Sequence, residues 1–318
     1  MTSSGVKTQE STLIQIISDA YHEAGITHIG QTPSAPQLSK GRRKLNRMVS
    51  EWMKLPGERL WTWKEGILFL QRGQNRYQLG SSSTDHFTDA YDFASTTLSS
   101  GAAAAATALS VASISGIANA DYLGIELDTG YFQWTTVNGA PSGTTVTAAT
   151  GLTSAASSGN RVIAYTTKLI RPLEIKSSRH YNYGSQTEIS VRQLSHVDYM
   201  ELPNRTTEAS PFVQSRYQPD IPLGIFEVWN RPANVDYAAR FTYKRPIFDF
   251  TDNAETADFP VEWENALVFG LAVELIPSGN VPESRAAILV QMASAKLALA
   301  MNGDREPVSI LFQPDMEE

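Results

Sequence analysis

A chain of 318 residues with 42% hydrophobic and 9% aromatic content carries enough apolar material for real cores, which excludes an intrinsically disordered protein. Its 33 acids against 26 bases give a net charge of −7, which argues against a general nucleic-acid coat. The absence of cysteine excludes disulfide scaffolds, thiolate zinc sites and thiol nucleophiles together.

Residues 1–10 show no apolar run of the kind a secretory signal needs, and no stretch approaches eighteen apolar residues, so a soluble protein is expected. Thr12 with Gln15 reads as a capping box, and Leu13, Ile16, Ile17, Ala20, Tyr21 and Ala24 recur at helical spacing until Gly25. A loop with Pro33 and Pro36 leads to a second helix over 38–54, striped by Leu38, Leu45, Met48, Val49 and Trp52. Residues 67–70 and 76–79 around Arg72-Gly73-Gln74-Asn75 predict a β-hairpin.

From Ser81 to about Asn160 the chain turns rich in Ser, Thr, Ala and Gly. Short β-like runs at 107–111, 122–127, 131–137, 144–148 and 161–166, separated by turn signals, predict a small antiparallel barrel inserted over 81–166. Strands at 169–176, 187–194, 212–218, 223–230 and 237–245, with a short helix over 195–202, predict a β-sandwich region over 167–245.

Pro260, Glu262 and Glu264 open a helix over 260–275, and Pro282 and Glu283 open another over 282–302. Neither can bury its stripe alone. Pairing them with the N-terminal helices predicts an α+β fold: an antiparallel four-helix bundle made from residues 1–80 and 246–318, with the strands looped out between. Its expected core is Leu13, Ile17, Met48, Trp52, Trp263, Leu267, Leu271 and Leu289.

The motifs of an enzyme are missing: no Gly-rich phosphate loop ending in Lys-Ser/Thr, no GxGxxG, no HExxH and no GxSxG. The five histidines lie in different segments, so neither a metal nor a cofactor is expected. Glu262 with Glu264, Asp249 with Asp252, and Glu126 with Asp128 are the acid pairs that hydrolysis would need, though each has a capping or solvated role open to it. Lys40, Arg42, Arg43, Lys44, Arg47, Lys54 and Arg59 set seven bases against Glu51 and Glu58, a local +5, while the rest of the chain holds 19 bases and 31 acids. A helix face this basic could contact phosphates or an acidic partner. Val308, Ile310, Leu311 and Phe312 form an apolar β-prone arm with no later element to pack on.

Trp52-Met53 with Trp61 and Trp63 beyond, Tyr243-Lys244-Arg245-Pro246-Ile247, Asp249-Phe250, Asp258-Phe259-Pro260 followed by Glu262-Trp263 and Ala266-Leu267, Leu271-Ala272 and the closing Ala-rich helix resemble the head-to-tail adaptor proteins of short-tailed bacteriophages. That family includes tail tubular protein A and the packaged-DNA stabilisation proteins. The resemblance covers roughly residues 10–80 and 165–315 and is a pattern of spaced residues without one diagnostic motif. It implies a virion neck protein assembled in the host cytoplasm, a ring of twelve copies under the portal protein, genomic DNA passing through without sequence recognition, and a tail nozzle protein attached below. The arm and Leu297 and Met301 of the last helix would then meet the portal. Two rivals remain: a glycan- or receptor-binding protein using Tyr122, Tyr131 and Trp134 as a stacking platform, and a peptidoglycan hydrolase.

Overall fold

The computed structural model describes residues 11–28, 30–54, 60–252 and 254–304. In chain order the elements are α1 (Leu13–Glu23), α2 (Ala35–Trp52), β1 (Trp63–Phe69), β2 (Arg76–Leu79), β3 (Phe87–Asp89) and β4 (Ala94–Thr97). There follow β5 (Ala108–Ser110), β6 (Tyr122–Glu126), β7 (Phe132–Thr136), β8 (Thr145–Thr147), β9 (Arg161–Tyr165) and β10 (Glu174–Asn182). The chain continues with β11 (Glu188–Gln193), α3 (His196–Met200), β12 (Gln214–Gln218), β13 (Gly224–Trp229), β14 (Tyr237–Lys244), α4 (Glu264–Leu275) and α5 (Glu283–Gly303). It divides into two compact units, Met1–Thr62 with Ile247–Glu318, and Trp63–Pro246.

In the helical unit, α4 is apolar around its circumference, with Ala266, Leu267, Val268, Leu271, Ala272 and Leu275 all buried. Helices α1, α2 and α5 pack on it. Both N-terminal helices start with a Ser/Thr-x-x-Gln capping box: Gln15 Oε1 accepts from the Thr12 N–H at 2.8 Å, and Gln37 Oε1 from the Ser34 N–H at 2.7 Å. The second box moves the start of α2 ahead of the expected position, because Pro36 suits a first helical turn where its missing N–H has no partner to lose. Two glycines let the helices close up. A Cβ on Gly41 of α2 would stand 2.7 Å from Ile17, and one on Gly270 of α4 would stand 2.8 Å from Met48 and 2.9 Å from Trp52.

The β unit is built on an eight-stranded sheet in the order β2-β13-β12-β11-β10-β14-β1-β3. Strand β14 is its spine, running antiparallel to β1 from Trp63↔Lys244 to Phe69↔Ala238 and to β10 from Glu174↔Lys244 to Asn182↔Tyr237. The edge strands β2 and β3 are joined by one short turn in which the Asp85 carboxylate accepts from the Gln78 N–H at 2.6 Å, so the sheet nearly closes. Leu68, Tyr77, Leu79, Phe87, Phe226, Phe241 and Tyr243 fill its interior. The inserted segment adds a four-stranded sheet, β4-β9-β6-β7, and the β5-β8 pair around a core of Leu109, Val111, Leu123, Ile125, Val146 and Val162.

The expected α+β architecture is therefore overturned. The protein is mostly β, with fourteen strands against five helices among the described residues, and no four-helix bundle carries it. The four longer helices share one cluster, to which α5 adds only Leu289 and Ala300 as buried residues, but they are the smaller part of a mostly β protein. A separate sandwich and an inserted barrel are likewise not what forms, because β1 is buried on both faces. Leu68 points into the large sheet's interior, while Ile67 and Phe69 meet Phe132, Ile163 and Tyr165 of the insertion in a second core. The expected hairpin fails for the same reason: β1 pairs with β14 over seven residues and β2 pairs with β13, so long-range ladders displace the local one. The strand expected at 169–176 starts only after Pro172 and runs on to Asn182. One helix among the described residues, α5, is long and apolar enough by length and composition to cross a membrane, which the expectation of uniform solubility did not include.

Between the two β cores His86 is clamped. Its ring stacks on Trp134 at 3.8 Å and 6°, and Nδ1 lies 2.7 Å from the Tyr165 hydroxyl. Burial, reinforced by the Lys168 charge, pushes its pKa down from 6.5 to about 3. The folded pKa lies below the unfolded one, so the unfolded chain takes up this proton first and the β unit loses stability as pH falls from about 6.5 toward 3. Two pH units into that window the loss is roughly 2.5 kcal/mol. Melting curves of His86→Gln between pH 7 and 4.5 are expected to show a smaller acid-induced fall in midpoint than the parent chain; an equal fall contradicts the assignment. In the helical unit, Gly270→Val is expected to cost about 1–3 kcal/mol through forced separation of α4 from α2, read by denaturant melts, and an unchanged midpoint would refute that close approach.

Candidate functional site

The eight expected core residues, Leu13, Ile17, Met48, Trp52, Trp263, Leu267, Leu271 and Leu289, all lie in one buried cluster of the helical unit. Trp263 sits at its centre, 6.2 Å from Trp52, 6.3 Å from Trp61 and 5.9 Å from Phe259 between ring centroids. These four rings come from both ends of the chain, and they belong to the segments on which the adaptor resemblance rests.

Helix α5 shows a different balance. Leu289 and Ala300 face the cluster, with Leu297 and Met301 half-buried against it. Leu297 and Met301, expected to face a portal, are thus turned inward. The outward row is instead Ile288, Met292, Ala295 and Leu299, spaced four, three and four, which keeps them on one line of the helix. Ile288 is 58% exposed, Met292 39% and Leu299 70%, and Val290 is 52% exposed. Arg285 ties the start of α5 to the end of α1, its guanidinium donating to the Glu23 carbonyl at 2.9 Å and the His22 carbonyl at 3.3 Å. A cation on the last carbonyls of a helix also meets the negative end of its dipole. The outward row was missed because a single inward stripe was sought; a helix apolar on every side is the signal that could have found it.

The expected basic contact residues separate into two groups. Arg42 donates to the Thr251 carbonyl and Lys44 to the Glu274 carbonyl, so both tie α2 to the returning chain. Asn46 does the same work, donating to the Phe250 carbonyl at 3.1 Å and accepting from its N–H at 3.0 Å. Lys40, Arg43 and Arg47 are exposed on the opposite side of the helix. Val308, Ile310, Leu311 and Phe312, like Arg59, lie outside the described residues.

Glu126, Asp128 and Glu264 of the candidate acid pairs are engaged structurally. Glu126 pairs with Arg161 at 3.9 Å, and the Asp128 carboxyl is held below the usual range by the Ser157 N–H, with Asn160 and the Ser157 hydroxyl adding to it. Glu264 accepts from the Ser11 hydroxyl. Glu262, Asp249 and Asp252 are exposed. A general acid needs the opposite environment, one that raises its pKa by burial. His22 meets the Gln31 carbonyl at 2.9 Å, and no cluster of three His, Asp or Glu residues able to hold a metal occurs among the described residues.

Of the three rings expected to form a glycan platform, Trp134 and Tyr122 are drawn half-buried into one cluster, each against His86 and Tyr165, with Lys168 over the Tyr122 ring, while Tyr131 is exposed at Arg72. No protein-family model matches the chain, and no curated protein matches it, so its function rests on what these residues and their geometry can do.

Proposed function

We propose that the chain is a structural connector of a tailed-phage virion, whose copies associate through α5 into a ring beneath the portal protein, retain packaged DNA and hold the tail nozzle. The observation that carries this is the outward row Ile288, Met292 and Leu299, an apolar line that a lone chain leaves in water. Covering what remains exposed of each such side chain is worth about 1–2 kcal/mol, so a helix with this surface favours a partner. A second copy is the occupant we propose: seated on a different face of the next copy, the row makes a head-to-tail contact that closes into a ring by rotation, whereas row against row would close as a two-fold dimer. The small residues Ala295 within the row and Ala287 and Ala298 beside it let a neighbouring helix come close.

The resemblance to head-to-tail adaptors supports the choice of assembly. Trp52, Trp61 and Trp263 and Phe259 of the Asp258-Phe259-Pro260 segment, all among the residues that carry it, converge on one cluster, which gives them a shared structural reason to occur together. The acids of the candidate pairs, each engaged or exposed, favour a binding role over hydrolysis, and the packing of Trp134 and Tyr122 against His86 and Tyr165 disfavours glycan stacking.

Light scattering of the purified chain, alone and with a portal ring, tests this. The chain of 34.9 kDa is expected to give a defined multiple of its mass, in solution or on the portal, and Ile288→Glu with Leu299→Glu is expected to return it to the monomer with an unchanged circular dichroism spectrum. A parent chain that stays monomeric under both conditions overturns the proposal. So does one that floats with lipid vesicles in place of assembling.

A further inference from the structure

Helix α2 carries an outward face of the opposite kind. Leu45, Met48, Val49 and Trp52 turn to the core, and on the far side Lys40, Arg43 and Arg47 fall on one line, continued by Lys54 just past the helix end. All four are exposed, and among the described residues none is engaged in an ion pair or hydrogen bond. The only acid in α2, Glu51, is exposed on the same line between Arg47 and Lys54, so the uninterrupted cationic stretch is Lys40, Arg43 and Arg47. The other outward positions, Pro36 and Ser39, bring no large apolar side chain.

A protein interface is built around aromatic and aliphatic anchors and is depleted in lysine, which describes the outer line of α5 and not this one. Cations in a row without an apolar anchor suit a wet polyanion. With a rise of about 1.5 Å per residue, Lys40, Arg43 and Arg47 span roughly 10 Å, over which a duplex presents about six phosphates on its two strands. Lys and Arg side chains on a single exposed helix face, with nothing that enters a groove, contact phosphates and read no bases. Against a chain of net charge −7, this face is a local exception. We infer that the Lys40–Arg43–Arg47 row binds the phosphodiester backbone of double-stranded nucleic acid without sequence preference.

One copy holds the whole row, so binding does not depend on ring formation, and failure here is a separate result from failure of self-association. The test is fluorescence anisotropy of the full chain with two labelled 30-base-pair duplexes of unrelated sequence, titrated at several salt concentrations. Three phosphate contacts predict a slope of log K against log salt of about −2.7, or roughly 40-fold weaker binding at 200 mM than at 50 mM, with the same values for both duplexes. The variant Lys40→Gln/Arg43→Gln/Arg47→Gln changes only exposed side chains and is expected to keep its melting midpoint while losing that slope. Binding by the triple variant equal to the parent overturns the inference. So does no binding by the parent up to protein concentrations on the order of 10−4 M at low salt. Equal competition by polyglutamate of matched charge would overturn it as well, by showing an acidic protein surface to serve equally.

Discussion

Helix α4 is apolar on every side, and such a helix is stable in water only when other elements surround it. The cover comes from α1 and α2 at one end of the chain and from α5 at the other, brought to contact distance by Gly41 and Gly270. The polypeptide must leave the helical unit after Thr62 and return at Ile247. Arg42, Lys44 and Asn46 hold the returning segment and the end of α4 by their backbone carbonyls and amides, so part of the basic character of α2 is structural.

What the helical unit leaves uncovered then defines what it can bind. On α5 the exposed line is apolar and nearly free of charge; on α2 it is charged and free of large apolar groups. The two faces obey different physics. Apolar area is worth a nearly salt-independent free energy when a matching surface covers it, whereas a cation row gains by displacing counterions and weakens as salt rises. A connector that packs against copies of itself and lies near a nucleic acid has use for both.

The local grammar of the chain was legible and its long-range pairing was not. Thr12-x-x-Gln15 announced α1, and alternation in Tyr237, Ala239, Phe241 and Tyr243 announced β14, since caps and period-two burial are written within a few residues. The residues at the helical core, such as Trp52, Trp263 and Leu271, could be named from periodicity alone. The architecture could not. Leu68 and Phe69 look alike in sequence, yet one points into the eight-stranded sheet and its neighbour into the second core, which is what joins an expected barrel and sandwich into one unit. Gly73 and its neighbours carry a good turn signal, but a seven-residue ladder with β14 outweighs a two-strand hairpin that would be marginal by itself. The site was half legible: Lys40, Arg43 and Arg47 could be marked as basic, but only their position opposite Met48 and Trp52 separates them from Arg42 and Lys44. The resemblance, not periodicity, turned Leu297 and Met301 toward a portal, and a helix with two apolar lines offers no sequence signal for which one is covered.

Because the chain contains no cysteine, a single thiol placed at Leu299 reports directly on whether the outer line of α5 is covered. Maleimide labelling of Leu299→Cys in the assembled state, with Ser39→Cys on the outward side of α2 as the exposed reference, is the measurement. If copies meet through α5, the thiol at 299 reacts far more slowly than the one at 39 and regains the reference rate when dilution separates the copies. Equal rates at every concentration would mean that α5 stays bare, contradicting association through this helix.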